Sequence, residues 1–226
     1  MNHRDLFAVA RAAIPKDLLA RSGKVFYSGR RSFQNQTSLY ILGVNPGGDP
    51  EDLAEETISN HTDCVANIAP PDWSAYRDEI WKRKAPGKHG MQPRLLHMFK
   101  MLGLNPGTVP ASNLVFVRSR RTGHLADDFT GLANLCWPFH ECVIENLKPK
   151  TILCLGHVAG DYVCARVGAH ERYDTFVEKN KRGWKSHAYR STTGTKVIVA
   201  THPSIANWAA IQTDPTPLIV SALRDA

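Results

Sequence analysis

The sequence predicts an α/β protein, a three-layer α/β/α sandwich around a central four-stranded parallel sheet. Four short runs, "LYILGV" (39–44), "NLVFV" (113–117), "TILCLG" (151–156) and "KVIVAT" (196–201), are almost continuously apolar and rich in branched residues. Strands buried on both faces of a parallel sheet have that pattern. Segments with apolar residues at helical spacing separate the runs. Strand alternating with helix is the rhythm of a parallel sheet covered on two sides.

Taken in order, "RDLFAVARAAIP" and "PKDLLARSG" read as outer helices ahead of the first strand. That strand stops on Asn45 and breaks into Pro46, Gly47 and Gly48. Such a break makes either a plain turn or a loop that lets a ligand approach the backbone. Residues 49–92 form an excursion containing "PPDWSAYRDEIWKRKAPGKHG". "PRLLHMFKMLGL" is a helix ending at Gly103, and the second strand follows. "FTGLANLCWPFHECVIENLKP" (129–149) is a long helix closed by Pro149 just before the third strand, and "HVAGDYVCARVG" is a helix stopping at Gly168. Residues 170–195 form a second excursion, "EKNKRGWKSHAYRSTTGTK". Both excursions are read as loop insertions within a single domain spanning residues 1–226. Their basic residues interleaved with Trp and Tyr suit phosphates and exposed bases.

The totals narrow the function class. A chain of 226 residues with 42% hydrophobic content can bury one sizeable core. No apolar run is long enough to span a bilayer, and the start "MNHRDLF" has no signal-like apolar segment. The expected location is therefore intracellular, in the cytoplasm, with no membrane contact. Five cysteines at irregular spacing argue against a disulfide framework. A net charge of +7 favours a polyanionic partner, nucleic acid first. The protein is expected to be a monomer.

In open α/β sheets ligands bind beyond the carboxyl ends of the strands, so the strand exits are read together. The first offers Asn45; the second begins with Asn113 and exits into Arg118, Arg120 and Arg121. The fourth exits at "THPSIANWAA", presenting His202 and Ser204. Singly, each has a plain explanation: a tight turn, a loop histidine, an amide capping a strand, a core tryptophan at 208. Together they offer two amides, an imidazole, a hydroxyl and several guanidiniums at one cleft mouth. That set suits a neutral polar ring attached to a phosphate-bearing chain.

On these motifs the chain resembles the uracil-DNA glycosylase superfamily. "GVNPGG" after the first strand, paired with "HPS" after the last, is closest to the mismatch-specific and single-strand-selective branches. "NLVFVRSRR", "LCWPFHECVIENLKPKTILCLG" and "THPS" are similar to the iron–sulfur branch. The resemblance covers residues 39–48 and 94–208 in order. It implies that Asn45 orients the attacking water and that His202 donates to the base carbonyl O2 as charge accumulates there. It implies that Asn113 reads the pyrimidine edge within a base pocket formed by Gly43, Val44, Pro46, Gly47 and Gly48. It implies that Ser204 holds a backbone phosphate and that the loop Ile205–Trp208, including Asn207, fills the gap left by the flipped nucleotide. Ile205 and Trp208 are the wedge candidates, and Arg118, Arg120 and Arg121 are expected to meet DNA phosphates.

Two departures matter. The iron–sulfur branch needs four cysteines; Cys136 stands where one ligand is expected, but Val117 stands at another, and residues 1–38 contain none. No cluster can be held, Cys64, Cys142, Cys154 and Cys164 show no zinc-type pairing, and neither metal nor cofactor is expected. The other departure is Pro46-Gly47-Gly48, where the most uracil-restricted branch carries a bulky aromatic that excludes groups at pyrimidine C5. A C5-enlarged cytosine, as in some bacteriophage genomes, would then fit as well as uracil. Trp73 and Tyr76 are the expected base stackers, and Asp49 is the alternative water-activating group. No lysine in the matched motifs is placed to form a Schiff base, so the expected enzyme is a monofunctional DNA glycosylase. It would serve base-excision repair or antiviral defence by base flipping; the alternative is a non-catalytic DNA-binding module on the same fold.

Overall fold

A computed structural model describes residues 5–125 and 128–224. Its strands are β1 (Leu39–Gly43), β2 (Ala111–Asn113), β3 (Thr151–Leu155), β4 (Ala169–Val177), β5 (Lys185–Ser191) and β6 (Lys196–Ala200). They form one six-stranded sheet in the order β2-β1-β3-β6-β5-β4. β2, β1, β3 and β6 pair in parallel, whereas β5 runs antiparallel to β6 and β4 antiparallel to β5. The expected four-stranded sheet is thus corrected to a mixed six-stranded one.

Six α-helices complete the described fold: α1 (Leu6–Ala12), α2 (Ile58–Asn67), α3 (Gln92–Leu102), α4 (Phe129–Leu147), α5 (His157–Val167) and α6 (Thr216–Arg224). Side chains alternate along the strands, so Tyr40, Leu42, Ile152, Cys154, Val197 and Val199 point to one core, with α1, α2, α4 and α5. Leu39, Ile41, Leu153, Leu155, Ile198 and Ala200 point to the other, with α3 and α6. Burial on both faces explains why these strands are apolar at nearly every position.

Local chemistry sets the helix ends. Asp5 accepts the N–H groups of Phe7 and Ala8 at 3.1 and 3.2 Å, and Thr57 accepts that of Asn60 at 3.1 Å, which satisfies donors the first turn leaves open. Gly103 and Gly168 close α3 and α5 in the left-handed region, where glycine carries no Cβ penalty. The segment after α1, expected as a helix, is only a 3-10 turn over Lys16–Leu18.

Both excursions are corrected. Residues 49–92 hold α2, so only part of them is loop. Residues 170–195 are the β4–β5 hairpin, which extends the sheet beyond β6. β4 is charged and mostly exposed. Such a sequence lacks the apolar alternation of a half-buried strand and suits an edge that must resist pairing with other chains.

Candidate active site

Chain order and sheet order part company between β1 and β3: the chain steps from β1 outward to β2, then returns to β3 on the other side. That is a topological switch point, where the crevice beyond the strand ends takes ligands. A cavity of about 480 Å³ opens there, lined by Val44 from the β1 exit, Leu155, Gly156 and His157 from the β3 exit, and Thr201, His202, Ser204 and Ile205 from the β6 exit. Trp184 and Lys185 of the hairpin close its side. Gly156, at φ +100°, lets β3 turn into α5 while the imidazole of His202 packs on its Cα side.

His202 is held in one protonation state. Its Nδ1 lies 3.1 Å from the backbone N–H of Ser204 and 2.7 Å from the Ser204 hydroxyl. A nitrogen that accepts from a backbone N–H carries no proton, so the neutral ring keeps its proton on Nε2. Burial pushes the pKa of His202 down to about 4. The ring therefore offers a neutral N–H donor at any ordinary pH. The loop beneath is tied by the N–H groups of Ile205 and Ala206, both donating to the His202 carbonyl, and by Arg94 of α3, which donates to the Pro203 carbonyl.

Asn45 is held just as firmly on the other side of Val44. Its Nδ2 donates to the Pro46 carbonyl and to the Ser119 hydroxyl, both at 2.9 Å, and more weakly to the Val117 carbonyl at 3.4 Å. Two of these acceptors are carbonyls, which fixes nitrogen and oxygen of the amide unambiguously. The Ser119 hydroxyl in turn donates to the Arg121 carbonyl at 2.9 Å, and the Ser119 N–H donates to the Pro46 carbonyl at 3.1 Å. With Nδ2 fully engaged, Oδ1 is the atom left to accept from water. β1 and β6 are two strands apart, so their exits stand about 10 Å from each other. Val44 reaches the His202 cavity; Asn45 is turned towards residues 117–119 and does not line it.

A family model for the uracil DNA glycosylase superfamily matches residues 31–224, from just before β1 to the end of α6. The chain belongs to the uracil DNA glycosylase superfamily. Among curated proteins, none matches it.

Within this glycosylase-superfamily frame the expected site residues divide. His202, Ser204, Ile205 and Val44 meet at one cavity, with Asn45 beside it. Asn113 ends β2 rather than beginning the second strand; it pairs with Gly43, and a Cβ on Gly43 would stand 2.1 Å from its Oδ1. The glycine is thus what admits the Asn113 amide, whose Nδ2 is buried with no partner among the described residues. At Gly47 a Cβ would meet nothing within 4 Å, whereas Gly48 has φ +114° and lies against Leu53 and Arg118.

Four expectations are corrected. Trp208 is fully buried and donates from Nε1 to the Thr201 carbonyl at 3.0 Å, so it anchors the loop and is no wedge. Tyr76 is buried among Tyr27, Trp81 and Phe99, and Trp73 packs against His61; neither reaches the cavity. Arg118 is 4% exposed and pairs with Glu56, which also binds Lys24 at 3.0 Å, and its Nη1 donates to the Gly47 carbonyl at 2.6 Å. A guanidinium so enclosed braces the glycine loop and does not reach DNA. Arg120 and Arg121 remain exposed. Arg120 pairs with Asp49 and holds that carboxyl below the usual range, so Asp49 is a weaker base than an unpaired aspartate. Asn207 is exposed on the loop, as expected.

Sequence reasoning missed Gly156, Ser119, Arg94 and the wall formed by Trp184. Gly156 carries a readable signal, a glycine at the exit of an apolar run of strand length.

Proposed function

We propose that the protein is a monofunctional DNA glycosylase that takes a flipped pyrimidine into the switch-point cavity and hydrolyses its N-glycosidic bond, leaving an abasic site. The observation that carries this reading is the state of His202, neutral and with its proton forced onto Nε2 by the Ser204 contacts. As the C1′–N1 bond breaks, the electron pair passes to the base and negative charge gathers on O2. A positioned neutral donor stabilises that charge without surrendering a proton, a contribution of roughly 3–4 kcal/mol. Water held by Asn45 Oδ1 adds to the cation-like C1′ and releases its proton to solvent. Little base strength is needed against so electrophilic a carbon, so an amide suffices.

The base reaches the cavity only after leaving the stack. Ile205, 58% exposed at the cavity rim, fills the gap, and Arg120 and Arg121 meet phosphates. Within this chemistry the guest is read as a pyrimidine enlarged at C5, with uracil the smaller alternative. A cavity of about 480 Å³ supports the larger guest. That guest would place the activity in defence against modified invading DNA, whereas uracil would place it in repair.

The test is a panel of oligonucleotides carrying uracil, hypoxanthine, hydroxymethylcytosine or glucosylated hydroxymethylcytosine, cleaved by alkali after incubation. Strand breaks with at least one pyrimidine, abolished in His202→Ala, are expected. Tight DNA binding with every base left attached would instead make the protein a binding module.

A further inference from the structure

The tip of the β4–β5 hairpin is built more firmly than an exposed turn requires. Glu178, 3% exposed, has its Oε2 bonded to Asn180 Nδ2 at 2.8 Å and to Arg182 Nη2 at 3.0 Å. Its Oε1 is buried with no partner among the described residues, a cost that a surface turn has no reason to carry. Asn180 Oδ1 accepts the N–H groups of Arg182 and Gly183, and Gly183 turns at φ +58°. The Glu178 N–H closes the turn on the Trp184 carbonyl at 2.8 Å.

All of this bears on one guanidinium. Arg182 Nη1 donates to the Ile205 carbonyl at 3.1 Å, and Arg182 Cζ stands 4.0 Å from the centre of the Trp184 ring. Arg182 therefore joins the wall of the His202 cavity, Trp184, to the backbone of the loop that carries Ile205. A guanidinium fits this place because it is flat and forked, offering one nitrogen to each acceptor while its face covers a ring. Lys179, Lys181 and Lys185 are exposed around the tip, which makes this end of the hairpin basic.

We infer that the hairpin tip is a DNA-facing clamp: Arg182 fixes the height of Ile205 in the duplex, Trp184 forms the wall against which the extruded nucleotide rests, and the surrounding lysines meet the flanking phosphates. Arg182 is a positioning residue acting through Ile205, and its partner is duplex DNA with one nucleotide out of the stack. This inference deepens the glycosylase reading and rests on it for the identity of the partner.

The clamp matters where a base must be pulled from a stack and little where the strand is already single. Base release from matched duplex and single-stranded oligonucleotides is therefore compared for wild type, Arg182→Ala, Arg182→Lys and Trp184→Ala. Arg172→Ala on the exposed face of β4 removes the same charge from the hairpin without touching the tip. Duplex cleavage by Arg182→Ala is expected to fall about tenfold, the loss of a charged hydrogen bond, with single-strand cleavage changed less than about twofold. Arg182→Lys should recover little, since an ammonium cannot fork, and Arg172→Ala should match wild type. Equal losses on both substrates, or a loss in Arg172→Ala as large as in Arg182→Ala, would overturn the clamp.

A second readout is independent of bond cleavage: the fluorescence of 2-aminopurine paired or stacked beside the target rises when the base is extruded. That rise is expected in wild type and largely lost in Arg182→Ala and Trp184→Ala; an unchanged rise would overturn the inference. A wild-type protein that extrudes the base yet releases none would sink the glycosylase reading while leaving the clamp supported.

Discussion

The backbone N–H of Ser204 donates to Nδ1 of His202 at 3.1 Å, and this contact two residues along one loop decides which nitrogen of the imidazole carries the proton. On the proposed reading, replacing His202 with alanine removes the donor to the leaving base. Turnover is expected to drop by roughly a hundredfold or more while DNA affinity is kept, measured by single-turnover cleavage beside an equilibrium binding assay. Because burial lowers the pKa of His202 to about 4, the single-turnover rate should show no inflection near pH 6.5, where an ordinary histidine titrates.

Ser119 holds Asn45 at 2.9 Å without facing the cavity itself. Ser119→Ala takes away one acceptor and lets the amide turn. A fall of about tenfold in kcat with KM nearly constant is expected, against a hundredfold or more for Asn45→Ala. Ser119→Thr, which keeps the hydroxyl, should recover part of the rate.

Acid should weaken the fold in a defined window. Burial lowers the pKa of His61 to about 3, helped by Lys24 and Arg118 nearby, and lowers those of His140 and His202 to about 4. In the unfolded chain each titrates near 6.5, so between these values the unfolded state binds more protons and stability rises with pH. The contribution is complete above about pH 6.5 and is lost as the pH falls towards 4. Urea midpoints should therefore decline from pH 6.5 to pH 5, above the ordinary carboxylate range, and the decline should be shallower in His61→Leu.

Ile205 and Trp208 should separate cleanly. Trp208→Ala empties a fully buried site and is expected to cost about 3–5 kcal/mol of stability, read as a lower urea midpoint. Ile205→Ala, at an exposed position, should leave the midpoint within about 0.5 kcal/mol and slow cleavage of duplex more than of single strands.

The arginines should divide in the same way. Arg118→Ala leaves Glu56 with Lys24 alone and frees the Gly47 carbonyl, so a loss of about 1–3 kcal/mol in stability is expected. Replacing Arg120 and Arg121 together should leave stability nearly unchanged and flatten the salt dependence of DNA binding by up to about two phosphate contacts.

β1, β3 and β6 were legible because each is buried on both faces, which forces a nearly unbroken apolar run, and because glycine and proline lie close to where such runs stop. The first and last exits were legible for a related reason: Asn45 and His202 are polar residues placed where such runs end. The apolar run at 113–117 lies past the second strand, because β2 itself is Ala-Ser-Asn while the buried segment after it, Leu114 to Val117, is wholly apolar. The hairpin was missed because an exposed edge strand has no apolar period to read.

By itself the sequence determined the sandwich, the superfamily and the polar residues Asn45 and His202 at the first and last strand exits, since burial demands apolar runs of strand length and a polar residue shows where such a run ends. Only the tertiary structure decided which polar groups are spent inside. Arg118 is enclosed by Glu56, Trp208 is sealed beneath Thr201, and Arg182 is drawn across to Ile205. Those outcomes depend on partners between 7 and 62 residues away in the chain. A composition or a spacing cannot tell an arginine that will meet a phosphate from one that will meet a glutamate, because the charge is the same and only the fold supplies the neighbour.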